Sequence, residues 1–201
     1  MTQVKICGIT RVEDARVAAS YGADYLGLIF VPSSPRYVEP EAAAEITAAV
    51  KGPKFVGVFR DCGVDEVHRV CVRSGIDMIQ FHGTESDEDI HTLGMPSIKA
   101  YRVGETLPDT NAHPAADYVL FDTFDTTRDG GTGRRFDWSL LAMYPRTKPF
   151  FLAGGIGPEN VAAAISLVRP DAIDISSAVE SAPGVKDHEK LRILFERVKR
   201  S

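Results

Sequence analysis

The sequence is poor in the features that mark several classes of protein. It has three cysteines in 201 residues, Cys7, Cys62 and Cys71. An odd count in a chain long enough to bury its own core builds no disulfide framework, so a reducing, cytoplasmic setting is expected. No apolar run approaches the roughly 18–20 residues that cross a bilayer. The amino end, Met1-Thr2-Gln3-Val4-Lys5, lacks the basic stretch and apolar segment of a secretory signal, and both ends read as natural termini of one domain. There is no basic excess: 23 Lys and Arg stand against 28 Asp and Glu, a net charge of −5. Such a chain has no bulk charge with which to displace counterions from nucleic acid. Neither G-x-G-x-x-G nor G-x-x-x-x-G-K-[ST] occurs; Gly155-Ile156-Gly157 and Gly131-Thr132-Gly133 are incomplete. Cys62, His68 and Cys71 match no zinc spacing, so no metal is expected.

What is present is a regular alternation. Apolar runs of about four to seven residues recur at Val4–Cys7, Tyr25–Val31, Phe55–Phe59, Met78–Phe81, Ile98–Val103, Tyr118–Phe121, Phe150–Ala153 and Ala172–Ile175, each reading as a buried strand. Between most of them lie helical patterns: Glu13–Tyr21, Glu39–Val50, Asp65–Ser74, Pro158–Val168 with Pro158 in a first helical position, and Asp187–Lys199. Strand–helix alternation requires parallel pairing through crossovers. Eight such units in one domain, residues 1–201, predict an α/β fold, a compact (β/α)8 TIM barrel near the lower size limit of about 200 residues. The stretch Gly104–Ala116 has two prolines and little periodicity, and it reads as a loop replacing the helix after strand five.

Barrel chemistry sits at the carboxyl ends of the strands. Cys7 ends strand one, His82 ends strand four, Asp122 ends strand six, and Arg36 follows strand two. Each has a plain alternative: a core thiol, a hydrogen-bonded imidazole, a turn carboxylate, a solvated guanidinium. Together at one rim they read as a site. Strand seven runs into Ala153-Gly154-Gly155-Ile156-Gly157 and strand eight into Asp174-Ile175-Ser176-Ser177-Ala178. Loops in these two places often bind phosphate, because glycine lets backbone amides approach an anion. Lys5 lies two residues before Cys7 and so on the same strand face, where its ammonium is expected to favour the thiolate. The apolar run before Asp122 is expected to raise its carboxyl pKa.

Eight segments in register carry a closer resemblance. They are Val4–Thr10, Gly22–Phe30, Ser34–Val38, Val56–Phe59, Gln80–Gly83, Gly130–Trp138, Leu152–Ile156 and Asp174–Glu180. Over about residues 4–200 the chain resembles the phosphoribosylanthranilate isomerases of tryptophan biosynthesis, and the irregular segment after strand five resembles theirs too. The resemblance implies a cofactor-free Amadori rearrangement of a small-molecule substrate, phosphoribosylanthranilate. It makes Cys7 the general base and Asp122 the general acid. It gives Arg36 to the anthranilate carboxylate, Gly154, Gly155, Ser177 and Ala178 to the phosphate, and His82 and Asp174 to the substrate pocket. No nucleic acid, membrane or metal is implied, and a monomer is expected. Two alternatives stay open. One is another phosphate-binding barrel isomerase, of the histidine-pathway type, which the chain length disfavours as it does indole-3-glycerol-phosphate synthase. The other is a non-catalytic phosphometabolite-binding module, which would need neither Cys7 nor Asp122.

Overall fold

A computed structural model describes residues 2–123 and 137–199. Gly131-Thr132-Gly133, and with it most of the Gly130–Trp138 segment, lies outside the described residues. Eight parallel strands close into a barrel in sequence order. They are β1 (Gln3–Cys7), β2 (Tyr25–Ile29), β3 (Lys54–Phe59), β4 (Met78–Phe81), β5 (Ser97–Val103), β6 (Tyr118–Thr123), β7 (Phe150–Leu152) and β8 (Ala172–Ile175). β1 closes the ring on β8, with Lys5 opposite Asp174. The strands were legible because a parallel barrel buries both faces, which leaves nearly continuous apolar runs.

The helices are α1 (Val12–Tyr21), α2 (Pro40–Ala49), α3 (Val64–Ser74), α4 (Asp87–Leu93), α5 (Val161–Val168) and α6 (His188–Val198). Their buried faces, such as Leu191, Leu194, Phe195 and Val198 of α6, join the outward strand residues in an outer apolar layer. A smaller inner cluster, including Tyr25, Val56, Met78, Ile98, Leu120 and Phe151, plugs the barrel interior. As expected, the segment after β5 holds only a 3-10 turn, Thr110–Ala112. Among the described residues, the segment after β6 also has a 3-10 helix, Trp138–Met143, where an α-helix would be regular.

Three details differ from the sequence reading. α5 begins at Val161 rather than at Pro158, because Asn160 pins the preceding loop: its Oδ1 accepts from Gly157 N at 3.0 Å and its Nδ2 donates to the Gly155 carbonyl at 2.8 Å. β6 extends two residues past Phe121, so Asp122 is the last but one residue of the strand rather than its end. β8 is followed by a 3-10 turn, Ser177–Val179, and then an antiparallel hairpin, β9 (Glu180–Ala182) and β10 (Val185–Lys186).

Candidate active site

Inward side chains on β1 climb from Gln3 through Lys5 to Cys7. Lys5 is wholly buried in the barrel, an expensive place for an ammonium without partners. Its Nζ donates to Gln80 Oε1 of β4 at 2.7 Å and to Asp174 Oδ2 of β8 at 2.9 Å. Lysine has only donors, so Gln80 must turn its oxygen to Lys5 and its amide nitrogen the other way. That Nε2 donates to His82 Nδ1 at 3.3 Å. The imidazole proton therefore sits on Nε2, which lies 3.7 Å from Asp122 Oδ2. Burial, aided by the charges of Arg102 and Lys5, lowers the His82 pKa to about 4, so the ring is neutral near pH 7. A neutral donor at that distance is an approach rather than an ion pair or a hydrogen bond.

Asp122 is pushed the other way. Burial raises its carboxyl to about 6, with the Asp174 charge adding to the effect. The Thr123 amide on Oδ1 at 2.8 Å and the Arg102 and Lys5 charges resist it. This is the direction the apolar run before Asp122 implied. Arg102 was not singled out from sequence. Strand alternation from Ile98 and Ala100 puts it inward on β5, and it is in register with Asp122.

Cys7 is buried at the end of β1 opposite Gly27 of β2. A Cβ on Gly27 would lie 2.7 Å from the Cys7 sulfur, so glycine is what makes room for the thiol. Burial raises the thiol pKa, and the charges of Lys5 and Lys186 pull it back only in part. Lys5 thus acts in the expected direction, but desolvation outweighs it. Lys186 was not legible as a partner, being 179 residues from Cys7 in sequence; its Nζ donates to the Cys7 carbonyl at 2.6 Å.

Arg36 stands beside the end of β1, 15% exposed. Its Nε and Nη2 are bonded to Glu180 at 2.7–3.1 Å, which leaves Nη1 without a bond to that carboxylate. Asp174 keeps a second buried oxygen, Oδ1, without a hydrogen-bond partner.

The glycine loop after β7 abuts Asp122. Gly154 and Gly155 have φ of +83° and +68°. A Cβ at Gly154 would lie 2.7 Å from Thr123 N and 3.1 Å from Asp122 Oδ1, and would collide with Thr123 Oγ1. A Cβ on Gly157 would lie 2.7 Å from Ala178 Cβ, so glycine lets this loop pack close to the turn after β8 that holds Ser177. Gly154→Ala is therefore expected to lose about 1–2 kcal/mol from left-handed strain alone, and more from the clash. Urea unfolding checks it; an unchanged midpoint would refute the packing described.

The arrangement joins a buried thiol and a carboxyl of raised pKa at one mouth, with a guanidinium on one side and a glycine loop on the other. Comparison with known proteins gives the family. The family model for N-(5'phosphoribosyl)anthranilate (PRA) isomerase matches residues 4–197. An N-(5'-phosphoribosyl)anthranilate isomerase from Pseudomonas fluorescens strain Pf-5 is 44% identical, covering 98% of this chain and 95% of its own. The crystal structure of the phosphoribosyl anthranilate isomerase from Thermus thermophilus superposes with a TM-score of 0.89 at 40% identity, covering 99% of both chains. Another isomerase structure, in complex with reduced 1-(o-carboxyphenylamino)-1-deoxyribulose 5-phosphate, gives 0.89 at 35% identity over the full length of both. The chain belongs to the N-(5'-phosphoribosyl)anthranilate isomerase family.

Proposed function

We propose that this chain isomerises N-(5-phosphoribosyl)anthranilate to 1-(o-carboxyphenylamino)-1-deoxyribulose 5-phosphate in tryptophan biosynthesis, with Asp122 as acid and Cys7 as base. The observation that carries the reading is the Asp122 carboxyl, held at about 6 against the glycine loop, in a barrel whose β1 ends in the buried Cys7 thiol. Asp122 gives its proton to the furanose ring oxygen while the nitrogen lone pair breaks the C1′–O bond. The resulting iminium acidifies the C2′ proton. The Cys7 thiolate takes that proton, the C–H electrons form the enol, and the enol relaxes to the ketone. The substrate is its own electron sink, so the chemistry asks for no cofactor.

Arg36 Nη1 meets the anthranilate carboxylate. Amides of Gly154, Gly155, Ser177 and Ala178 hold the phosphate. The orphaned Asp174 Oδ1 accepts a ribosyl hydroxyl, and neutral His82, oriented through Gln80, donates Nε2–H towards the reacting oxygens. All these groups come from one barrel, so a monomer suffices. The three cysteines are free, which supports a reducing, cytoplasmic setting. No helix among the described residues is long and apolar enough to cross a membrane.

The pH dependence follows from the two shifts. The active form has Asp122 protonated and Cys7 ionised, although the carboxyl is the stronger acid. Below about pH 6, kcat/KM rises with pH as thiolate accumulates, and it levels once Asp122 begins to lose its proton. It falls only above the raised thiol pKa. The acidic break therefore belongs to Asp122, the alkaline one to Cys7. An acidic break near the ordinary carboxylate value of about 4 would contradict this. The pathway assignment is tested by expressing the chain in a tryptophan-requiring strain that lacks this isomerase. Growth without tryptophan is expected, and no growth despite soluble protein would refute it.

A further inference from the structure

Two buried charges at the barrel mouth are not used by the acid–base reading. Glu180 opens β9 and Lys186 closes β10, with side chains 5% and 0% exposed. Glu180 Oε1 accepts from Lys186 Nζ at 2.8 Å, from Arg36 Nε at 2.9 Å and from Gly184 N at 3.3 Å. Its Oε2 accepts from Arg36 Nη2 at 2.7 Å. Lys186 Nζ also donates to the main-chain oxygens of Cys7, at 2.6 Å, and Ser176, at 3.4 Å. The hairpin that carries the pair is itself tied down. Lys186 N donates to Asp14 Oδ2 at 3.0 Å, and Thr10 Oγ1 donates to the Gly184 carbonyl at 2.6 Å.

Burying three charges together is not an economical way to gain stability, since well-packed apolar side chains do as well or better. What the trio does supply is geometry. A guanidinium gripped at Nε and one Nη has its plane fixed, and its remaining edge points one way. Arg36 and Lys186 outweigh Glu180 by one positive charge, so an incoming carboxylate still meets an attractive field.

We propose that Glu180, backed by Lys186, is a positioning residue that sets the plane of Arg36, and so determines specificity for an aromatic amine bearing an ortho carboxylate. The proposal rests on the reading of Arg36 as the carboxylate clamp. The pair joins that clamp to the strand end carrying Cys7, so the carboxylate is registered against the base.

The test compares inhibition constants for two product analogues: reduced 1-(o-carboxyphenylamino)-1-deoxyribulose 5-phosphate and the same compound without the ring carboxylate. The proteins are wild type, Arg36→Met, Glu180→Gln and Glu180→Gln/Lys186→Met. The double variant removes one charge of each sign and so keeps the buried net charge, which protects the fold where the single variant does not. Wild type is expected to prefer the carboxylated analogue by about 10–100-fold, the worth of a hydrogen bond to a charged group. Both Glu180 variants are expected to lose most of that preference while still binding the carboxylate-free analogue. Equal weakening of both analogues would overturn the proposal, because it would mark Glu180 as merely structural. So would full preference in the Glu180 variants when Arg36→Met has lost it. Full preference in Arg36→Met itself would overturn the clamp reading instead.

Discussion

Cys7→Ala and Asp122→Asn are each expected to lower kcat by about 10²–10⁴-fold, the usual worth of one positioned proton-transfer group. Neither change should unfold the barrel. Asparagine keeps the Oδ1 acceptor for the Thr123 amide and has the same shape, but it cannot deliver a proton to the ring oxygen. Its effect on stability has a sign fixed by the raised carboxyl pKa. A group whose folded pKa exceeds its unfolded value contributes stability at low pH and loses it as pH rises through the folded value, here about 6. Asp122→Asn is therefore expected to be at least as stable as wild type at pH 8, where the wild-type carboxylate is ionised and buried, while remaining nearly inactive. Urea titration beside a turnover assay reads both. Near-normal turnover in either variant would remove that residue from the mechanism, and a marked loss of stability in Asp122→Asn at pH 8 would contradict the burial argument.

Lys5→Met is expected to be the most damaging change to the fold. Lys5 is wholly enclosed, and it is the partner of Asp174 Oδ2 and of Gln80 Oε1. Its loss leaves a carboxylate beneath the barrel mouth with neither oxygen satisfied, since Oδ1 already lacks a partner. Removing one member of a buried pair costs about 3–5 kcal/mol. The ammonium's pull on the thiol disappears as well, so the Cys7 titration, followed by thiolate absorbance, should move further up. Lys5→Met/Asp174→Asn should recover much of the stability without recovering activity, because the charge imbalance is gone but the hydroxyl acceptor is weakened. A single variant as stable as wild type would show that the Lys5–Asp174 pair holds nothing together.

The barrel was readable in the sequence where burial is two-sided. All eight strands fall within one or two residues of the apolar runs. α4 was harder, because Asp87-Leu93 opens with three acidic residues and buries only Ile90. Its capping box, Ser86 with Asp89, was a signal that could have found it. The β9–β10 hairpin is too short and too polar for any periodicity. The candidates Cys7, His82, Asp122 and Arg36 could be picked out because they sit on or just after strand ends, where barrels keep their chemistry. The partners that tune them could not. Gln80 looks like any strand residue until Lys5 is seen facing it. Glu180 lies 144 residues from Arg36, and Lys186 is 179 residues from Cys7, so only closure of the ring and the return of the hairpin bring them together.

The barrel mouth is expected to perform the isomerisation with its own thiol and carboxyl. This is tested most directly by adding purified chain to N-(5-phosphoribosyl)anthranilate and following anthranilate fluorescence, with Cys7→Ala measured alongside. The predicted result is multiple turnovers by wild type without added metal or cofactor, and a rate at least about 10²-fold lower for the variant. No turnover by the wild-type chain, or two coincident progress curves, would contradict it.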